Sequence, residues 1–446
     1  MEKQIITNKL IKYQSEIKNS SWLFFDSIGK NIFNFLSVIF VARHLGPEKY
    51  GLLSYAMGFV GMFTSLITLG LDNVSVREIS KKNEIETKEI LGSSYILKLI
   101  GYFLMTLIIS LSILFLKTNS ENSTELIIII TIAYFFHAFF TIDYYFQAKL
   151  LSKKTVISNQ LGILLGFIFK IVSISLGLQL NFFAIAFVVE SFFIASFLLI
   201  NYQRNKSIIE WKFNFEIAKI LIISSLPIII SGLINSFFRR FDQIMVQNTL
   251  GSVNNGYYSV AKKISESIYF IPTAISISIF PTLVKLRNNE KKLNYLFSQT
   301  SALLLVSSII IIIVVIFASD WIIPIVFGKE YIPSVQLLKF SILACPFVFL
   351  DSINTRMLLI KNYQKYFIYS SMIGLISTII LNKILLTKLG ILGASISYSL
   401  SWFVGSFLIY LIIPETRNNI IIQTKSILFL PKLVKKLISK ELNENN

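Results

Sequence analysis

The residues able to do chemistry in this chain stand inside apolar stretches. Ser27, Lys30, Asn34 and Ser37 fall at i, i+3, i+7 and i+10, so on a helix they share one face. Ser231, Asn235, Arg239 and Asp242 follow a similar spacing farther along, with Arg240 adjacent, and Lys262, Lys263 and Glu266 interrupt the next apolar run. An ionisable side chain at the centre of a bilayer costs roughly 2.5–3.5 kcal/mol on insertion scales, so such groups turn toward protein or water. A guanidinium fork takes phosphate oxygens two at a time and an ammonium acts as a point charge. Lys30, Asn34, Asn235, Arg239, Arg240, Lys262 and Lys263 are therefore the candidate lining of an electropositive cavity that binds an anion. Glu190, deep in an apolar run, and Asp242 are the candidate sites for coupling to H+ or Na+.

A plainer chemistry competes with that one. Asp26–Lys30 and Lys262–Glu266 are i, i+4 pairs and Arg239–Asp242 is i, i+3, so each charge could serve only to neutralise another. Glu190 could meet a cation on a neighbouring helix, and Lys98 and Lys170 could snorkel toward an interface. His137, among Tyr134, Phe135, Phe136 and Phe139, reads as a hydrogen-bonded core residue more readily than as a proton relay. Asp143 and Asp351 read as interfacial or structural.

The elements that must position these groups follow from composition. Of 446 residues, 54% are apolar and only 15% charged, against about 25% charged in soluble domains, which excludes a water-soluble enzyme. With 39 Phe and 19 Tyr the chain cannot stay solvated, which excludes disorder. What remains is an all-α polytopic membrane protein. Runs long enough to span, about 20 mostly apolar residues, occur near 21–43, 50–71, 93–116, 125–147, 156–177 and 182–202, and again near 219–247, 256–284, 297–318, 333–360, 366–386 and 391–413. That gives about twelve helices in two halves, 21–202 and 219–413, flanked by a segment 1–20, a linker 203–218 and a basic tail 414–446. The first segment reads as cytoplasmic and amphipathic, without a small-residue cleavage site after it.

Loop charge orients the chain. Placing the N-terminus in the cytoplasm puts 27 Lys and Arg on that side and five, Arg43, Lys49, Lys117, Lys329 and Lys388, on the other. Both termini are then cytoplasmic. The formal charge of +18 is mostly this asymmetry, so no nucleic-acid partner is needed, and the tail lysines Lys432 to Lys440 suit anionic membrane lipids. No loop is long enough for a nucleotide-binding domain and no G-x-x-x-x-G-K-[ST] loop occurs. One cysteine, Cys345, excludes an internal disulfide, two histidines are too few for a histidine-rich metal site, and no cofactor is expected.

The two halves echo each other. Leu45-Gly46, Gly51, Ser54 and Ala56 recur as Leu250-Gly251, Gly256, Ser259 and Ala261, and Leu176-Gly177 recurs more weakly as Leu389-Gly390. Six helices per half make the repeat parallel, related by an axis along the membrane normal. Pro227, Pro272 and Pro281 are candidate bending points, and Gly162 and Gly166 form a G-x-x-x-G pair suited to close helix packing. Trp22, Trp211, Trp321 and Trp402 are expected near interfaces.

Four motifs in order resemble one family. Ala42-Arg43-His44-Leu45-Gly46-Pro47-Glu48-Lys49-Tyr50-Gly51 resembles the signature after helix one of Wzx-type polysaccharide flippases. Gly70-Leu71 to Arg77-Glu78, Ile279-Phe280-Pro281 and Leu389-Gly390-Ile391-Leu392-Gly393-Ala394 resemble three further motifs of that family, so the likeness runs from about residue 20 to 410. The resemblance implies two six-helix bundles around a central cavity, working by alternating access. It implies translocation of undecaprenyl-diphosphate-linked oligosaccharide repeat units, of O-antigen or a related polysaccharide, across the bacterial inner membrane. A polysaccharide polymerase and a chain-length regulator are the partners it suggests. It carries no catalytic residue over.

A transporter of this kind is not an enzyme. The alternative on the same fold is a cation-coupled extruder of small molecules or drugs, whose site for cations should be lined by carboxylates rather than by Lys and Arg. A glycan polymerase or glycosyltransferase would need a sizeable extramembrane loop for sugar chemistry, which this sequence does not offer.

Overall fold

The structure is a computed structural model that describes residues 2–116, 121–204 and 206–426, with side chains for the same residues except 2–18, 20, 116, 121 and 122. The lysines expected on the first segment, Lys117, and the tail lysines from Lys432 to Lys440 lie outside the described side chains. Among the described residues every regular element is helical. Ten helices among the described residues are long and apolar enough to cross a membrane: α1 Ser21–Ile79, α2 Glu84–Phe115, α3 Ser123–Ala148, α4 Ser152–Ser175, α5 Leu180–Gln203, α6 Phe215–Lys285, α7 Glu290–Val326, α8 Ser334–Ile360, α9 Lys365–Leu389 and α10 Ile391–Ile412. A shorter helix, α11 Pro414–Lys425, follows. The chain is a multi-pass membrane protein.

Ten rather than about twelve helices emerge because α1 and α6 each run through two of the expected apolar stretches. Straight, the 59 residues of α1 would reach about 90 Å, three times the hydrocarbon core. It is broken instead at Gly46 (φ 70°, ψ 173°), and α6 is broken at Gly251 (φ 80°, ψ −179°). This backbone region is essentially closed to residues with a Cβ. Pro47 resumes the first helix where its missing N–H costs no bond. The two glycines are the repeat's paired Leu-Gly positions, and the weaker pair, Gly177 and Gly390, also has positive φ, 63° and 57°. The internal repeat is thus visible as backbone conformation.

The chain divides into two compact units, Met1–Arg240 and Phe241–Asn446, with the boundary inside α6. In the first unit Leu71, Ile79, Leu91, Ile142, Phe146 and Leu198 form a buried core. The G-x-x-x-G pair closes α4 on α5: a Cβ on Gly162 would meet the Ile194 backbone nitrogen at 2.8 Å, and one on Gly166 would meet Glu190 Cβ at 2.7 Å. Trp211 packs here too, its Nε1 donating to the Tyr202 hydroxyl at 3.0 Å.

In the second unit α9 and α10 approach closely at another glycine, where a Cβ on Gly405 would lie 3.0 Å from Gly374 Cα. Ser370 Oγ donates to the Gly405 carbonyl at 2.7 Å, beside a π-turn at Val404–Leu408. Trp402 is buried against Tyr269 rather than facing outward. Helix α11 starts on Pro414 and docks by polar contacts: Gln423 Nε2 donates to the Leu350 carbonyl (2.9 Å) and Asn419 Nδ2 to Asn354 Oδ1 (3.1 Å).

Candidate functional site

In the first unit, α1 presents Lys30 and Asn34. Lys30 is bonded to Asp26 at 2.6 Å, the i, i+4 pair its spacing allowed, yet its side chain is 40% exposed while Asp26 is buried. Asp26 also accepts from α4, from Asn159 Nδ2 at 3.0 Å and Gln160 Nε2 at 2.9 Å. Gly29 makes room for that approach, since a Cβ there would meet Gln160 at 2.4 Å. With three donors on Asp26, Lys30 shares its carboxylate and keeps part of its charge open to an incoming anion. Asn34 is exposed one turn on, whereas Ser37 is buried, so the sequence's polar stripe divides between lining and core.

The first part of α6 brings Asn235, Arg239 and Arg240 to the same unit. Arg239 is exposed and its Nε donates to Asn235 Oδ1 at 3.3 Å, one turn back. Arg240 is half-buried and its Nε lies 4.0 Å from where a Gly61 Cβ would stand. Around it, α6 packs on α1 through Ser65 and Ser236 (3.3 Å) and through the edge-to-face rings of Phe63 and Phe237 (5.4 Å). A Cβ on Gly232 would meet Ser65 Oγ at 2.8 Å. Arg240 therefore stands where two helices meet and a bulkier residue at position 61 would crowd it.

A second charged cluster in this unit brings together residues that the sequence reading took one by one, Lys98, His137 and Asp143, with Asp72 and Tyr144, which it did not single out. Lys98, which could have snorkelled, is buried, with Nζ 3.5 Å from the His137 carbonyl and 4.6 Å from the Tyr144 ring. Tyr144 donates to Asp72 Oδ1 at 2.6 Å, and Asp143 accepts from Thr155 (2.6 Å) and Gln147 (2.8 Å). Lys30 and Lys98 are both within electrostatic reach of Asp143 and of His137. His137 itself stacks on Phe140 at 4.4 Å. Glu190 meets Lys170 at 3.4 Å, and Lys170 also lies 4.8 Å from the Phe187 ring.

In the second unit Asp242 and Lys262, expected in different roles, bind each other. Lys262 Nζ reaches both carboxylate oxygens of Asp242 at 2.7 Å, and both residues are about 1% exposed. Tyr258 donates to the same carboxylate, and Gln243 Nε2 to Ser259 Oγ at 3.1 Å. These contacts show the two arms of α6 lying side by side about the Gly251 break. Positions 205 residues earlier hold Ser37, Leu53 and Met57, so the first repeat has no such charged pair at this point. Lys263 is half-buried on the same helix.

Arg356, on α8, was also missed. It is half-buried and lies 5.5 Å over the Phe280 ring. Among the described residues no group of three His, Cys, Asp or Glu could hold a metal ion.

The chain matches the model of a family described as polysaccharide biosynthesis protein over residues 17–287. A Shigella flexneri protein named for O-antigen transport is 23% identical over 415 residues, 89% of this chain and 97% of that one. The Staphylococcus aureus capsular polysaccharide biosynthesis protein CapF is 24% identical over 402 residues, 87% of this chain and 97% of its own. Among solved structures, the lipid II flippase MurJ in an inward closed conformation superposes with a TM-score of 0.69 at 19% identity, covering 94% of this chain and 93% of that one. An inward-facing multidrug resistance MATE transporter superposes with a TM-score of 0.71 at 14% identity, covering 88% and 95%. The fold is therefore the two-bundle fold these transporters share. With motif order, helix pattern and family match agreeing, this chain belongs to the polysaccharide biosynthesis protein family.

Proposed function

We propose that the protein is a flippase that carries undecaprenyl-diphosphate-linked oligosaccharide repeat units, of O-antigen or a related polysaccharide, across a bacterial inner membrane by alternating access. The observation that carries this reading is the pair Arg239–Arg240 on α6, one exposed and one between helices, in the same unit as the half-exposed Lys30. A diphosphate cannot enter about 30 Å of hydrocarbon unsolvated, and guanidinium and ammonium groups replace its water. The prenyl chain stays in lipid while the headgroup moves. Asn34 and Asn235 add neutral donors for sugar hydroxyls or phosphate oxygens. The family membership and the relative named for O-antigen transport support the substrate class.

The reading places both termini in the cytoplasm, next to a polymerase and a chain-length regulator as partners. An H+ or Na+ gradient is its energy source. At Glu190 or Asp242 the coupling ion would have to displace a lysine, Lys170 or Lys262, already bound there. A drug extruder for cations would place carboxylates where this chain has Arg239 and Arg240.

The test is transport itself. Purified protein in proteoliposomes should move an undecaprenyl-diphosphate-linked oligosaccharide between leaflets, read by its accessibility to a sugar-oxidising reagent. Movement no faster than in protein-free vesicles, with and without an imposed gradient, refutes the proposal.

A further inference from the structure

Arg356 is the charge in the second unit that the proposed transport path leaves unexplained. Its Nε is buried without a hydrogen-bond partner, and among the described residues the side chain makes neither a hydrogen bond nor an ion pair. A membrane helix does not hold an arginine this way without cause: a buried donor left unbonded costs about 1–3 kcal/mol, more when charged. Such a group calls for a partner that comes and goes.

The surroundings define what that partner is. Arg356 lies four residues before α8 ends at Ile360, about 6 Å along the axis and so near headgroup depth. The last segment of α6, Phe270–Lys285, runs alongside in the same direction: Ser276 and Ser352 bond through their hydroxyls at 2.8 Å, and one turn later Phe280 and Arg356 meet at 5.5 Å. Ser352 also donates to the Pro272 carbonyl at 3.3 Å, which pins the register. Phe280 belongs to the Ile279-Phe280-Pro281 motif singled out in the sequence, and the Pro281 ring restricts the Phe280 backbone. A guanidinium lying on a fixed aromatic face is held in orientation while its N–H edge stays available, the arrangement that suits a planar fork to phosphate oxygens.

We infer that Arg356, oriented on Phe280, is a binding residue of the second unit for a phosphate carried on a lipid. Two lipids present that chemistry: the diphosphate of a prenyl-linked sugar, an assignment that rests on the proposed function, and the phosphodiester of a phospholipid.

The experiment uses the full chain in phosphatidylcholine nanodiscs and compares wild type with Arg356→Gln, Arg356→Lys and Phe280→Leu. The probes are undecaprenyl diphosphate, undecaprenol, which lacks phosphate, and phosphatidylglycerol, with bound lipid read by native mass spectrometry. Arg356→Gln should weaken one phosphate-bearing probe about tenfold or more, the loss of a charge-assisted bond, and leave undecaprenol unchanged. Arg356→Lys and Phe280→Leu should fall between. A loss confined to undecaprenyl diphosphate assigns the site to the transported lipid, and a loss confined to phosphatidylglycerol assigns it to a bilayer lipid. If wild type ignores undecaprenyl diphosphate while phosphatidylglycerol binding still needs Arg356, the proposed function suffers and the site stands. Equal retention of both phosphate probes by wild type and Arg356→Gln overturns the inference. So does a marked drop in melting temperature of Arg356→Gln, because removing a buried charge that has no protein hydrogen bond should not lower thermal stability.

Discussion

Lys262 grips both oxygens of Asp242 across the Gly251 break, two contacts of 2.7 Å between residues twenty positions apart in one helix. The pair is buried, and Tyr258 occupies the same carboxylate. Its two charges are balanced locally.

Removing one partner should therefore be costly. Asp242→Ala takes the carboxylate from a buried ammonium and should destabilise the protein by about 3–5 kcal/mol. The double variant Asp242→Leu, Lys262→Met should recover most of that. Thermal unfolding in detergent decides it, and a double variant no better than the single one contradicts the assignment of the pair as a neutral brace.

The two breaks give a second expectation. Alanine at Gly46 or Gly251 should cost about 1–3 kcal/mol, from backbone strain at a conformation that a Cβ resists. At Gly251 nothing lies within 4 Å of a new Cβ, so a loss there cannot be laid to crowding. Equal melting temperatures for wild type and Gly251→Ala would show that the helix can bend another way.

Transport should depend on the arginine pair. Arg239→Ala with Arg240→Ala should abolish surface glycan assembly in a flippase-null strain while membrane levels stay normal. The two lysine replacements together should restore part of it, since charge returns without the bidentate fork. Full complementation by the alanine variant would remove these residues from the transport path.

On the segment between α5 and α6, Glu210 bonds Lys88 at the start of α2 at 2.5 Å, and Lys206 bonds Glu84, also at the start of α2. The hydrogen bond and charge of Lys88 lower the Glu210 carboxyl below its ordinary value of 4.5. A depressed carboxylate contributes its tethering above the unfolded value and loses it as pH falls through the folded one. Limited proteolysis between residues 206 and 214 should therefore accelerate as the pH falls below the ordinary value of 4.5, and 0.5 M salt should act in the same direction at neutral pH. Cleavage indifferent to both would mean the exposed pairs hold nothing.

Topology is open to chemical labelling. With Cys345, which is buried, replaced by Ala, a cysteine at the exposed Lys81 should react only with reagent on the cytoplasmic side. Labelling from outside would invert the orientation.

Much of this architecture could be read from spacing alone. Apolar runs gave the helices, Lys30 found Asp26 four residues away, and the Leu-Gly echo located both breaks. Gly162 and Gly166 announced a close helix contact that α4 and α5 make. What spacing could not give was any contact between helices. Lys262 sits four residues from Glu266, but its bond to Asp242 exists only because α6 folds back at Gly251. Lys170 and Glu190 meet only because α4 and α5 pack. Lys98 is buried through Tyr144 and His137 of α3, and Arg356 finds Phe280 on another helix. Trp402 shows the same limit, since its type says nothing of the Tyr269 ring that it packs against. The spans that the sequence separates at 43–50 and 247–256 are joined in the structure by a single glycine each, with no loop between them.

The matched glycines carry a last implication. The elbow recurs in each half because it is made by backbone, which leaves the side chains around it free to differ. The second half carries an acid and a base at its elbow, Asp242 and Lys262, where the first has Ser37 and Met57. The two elbows are alike as backbone and unlike as chemistry.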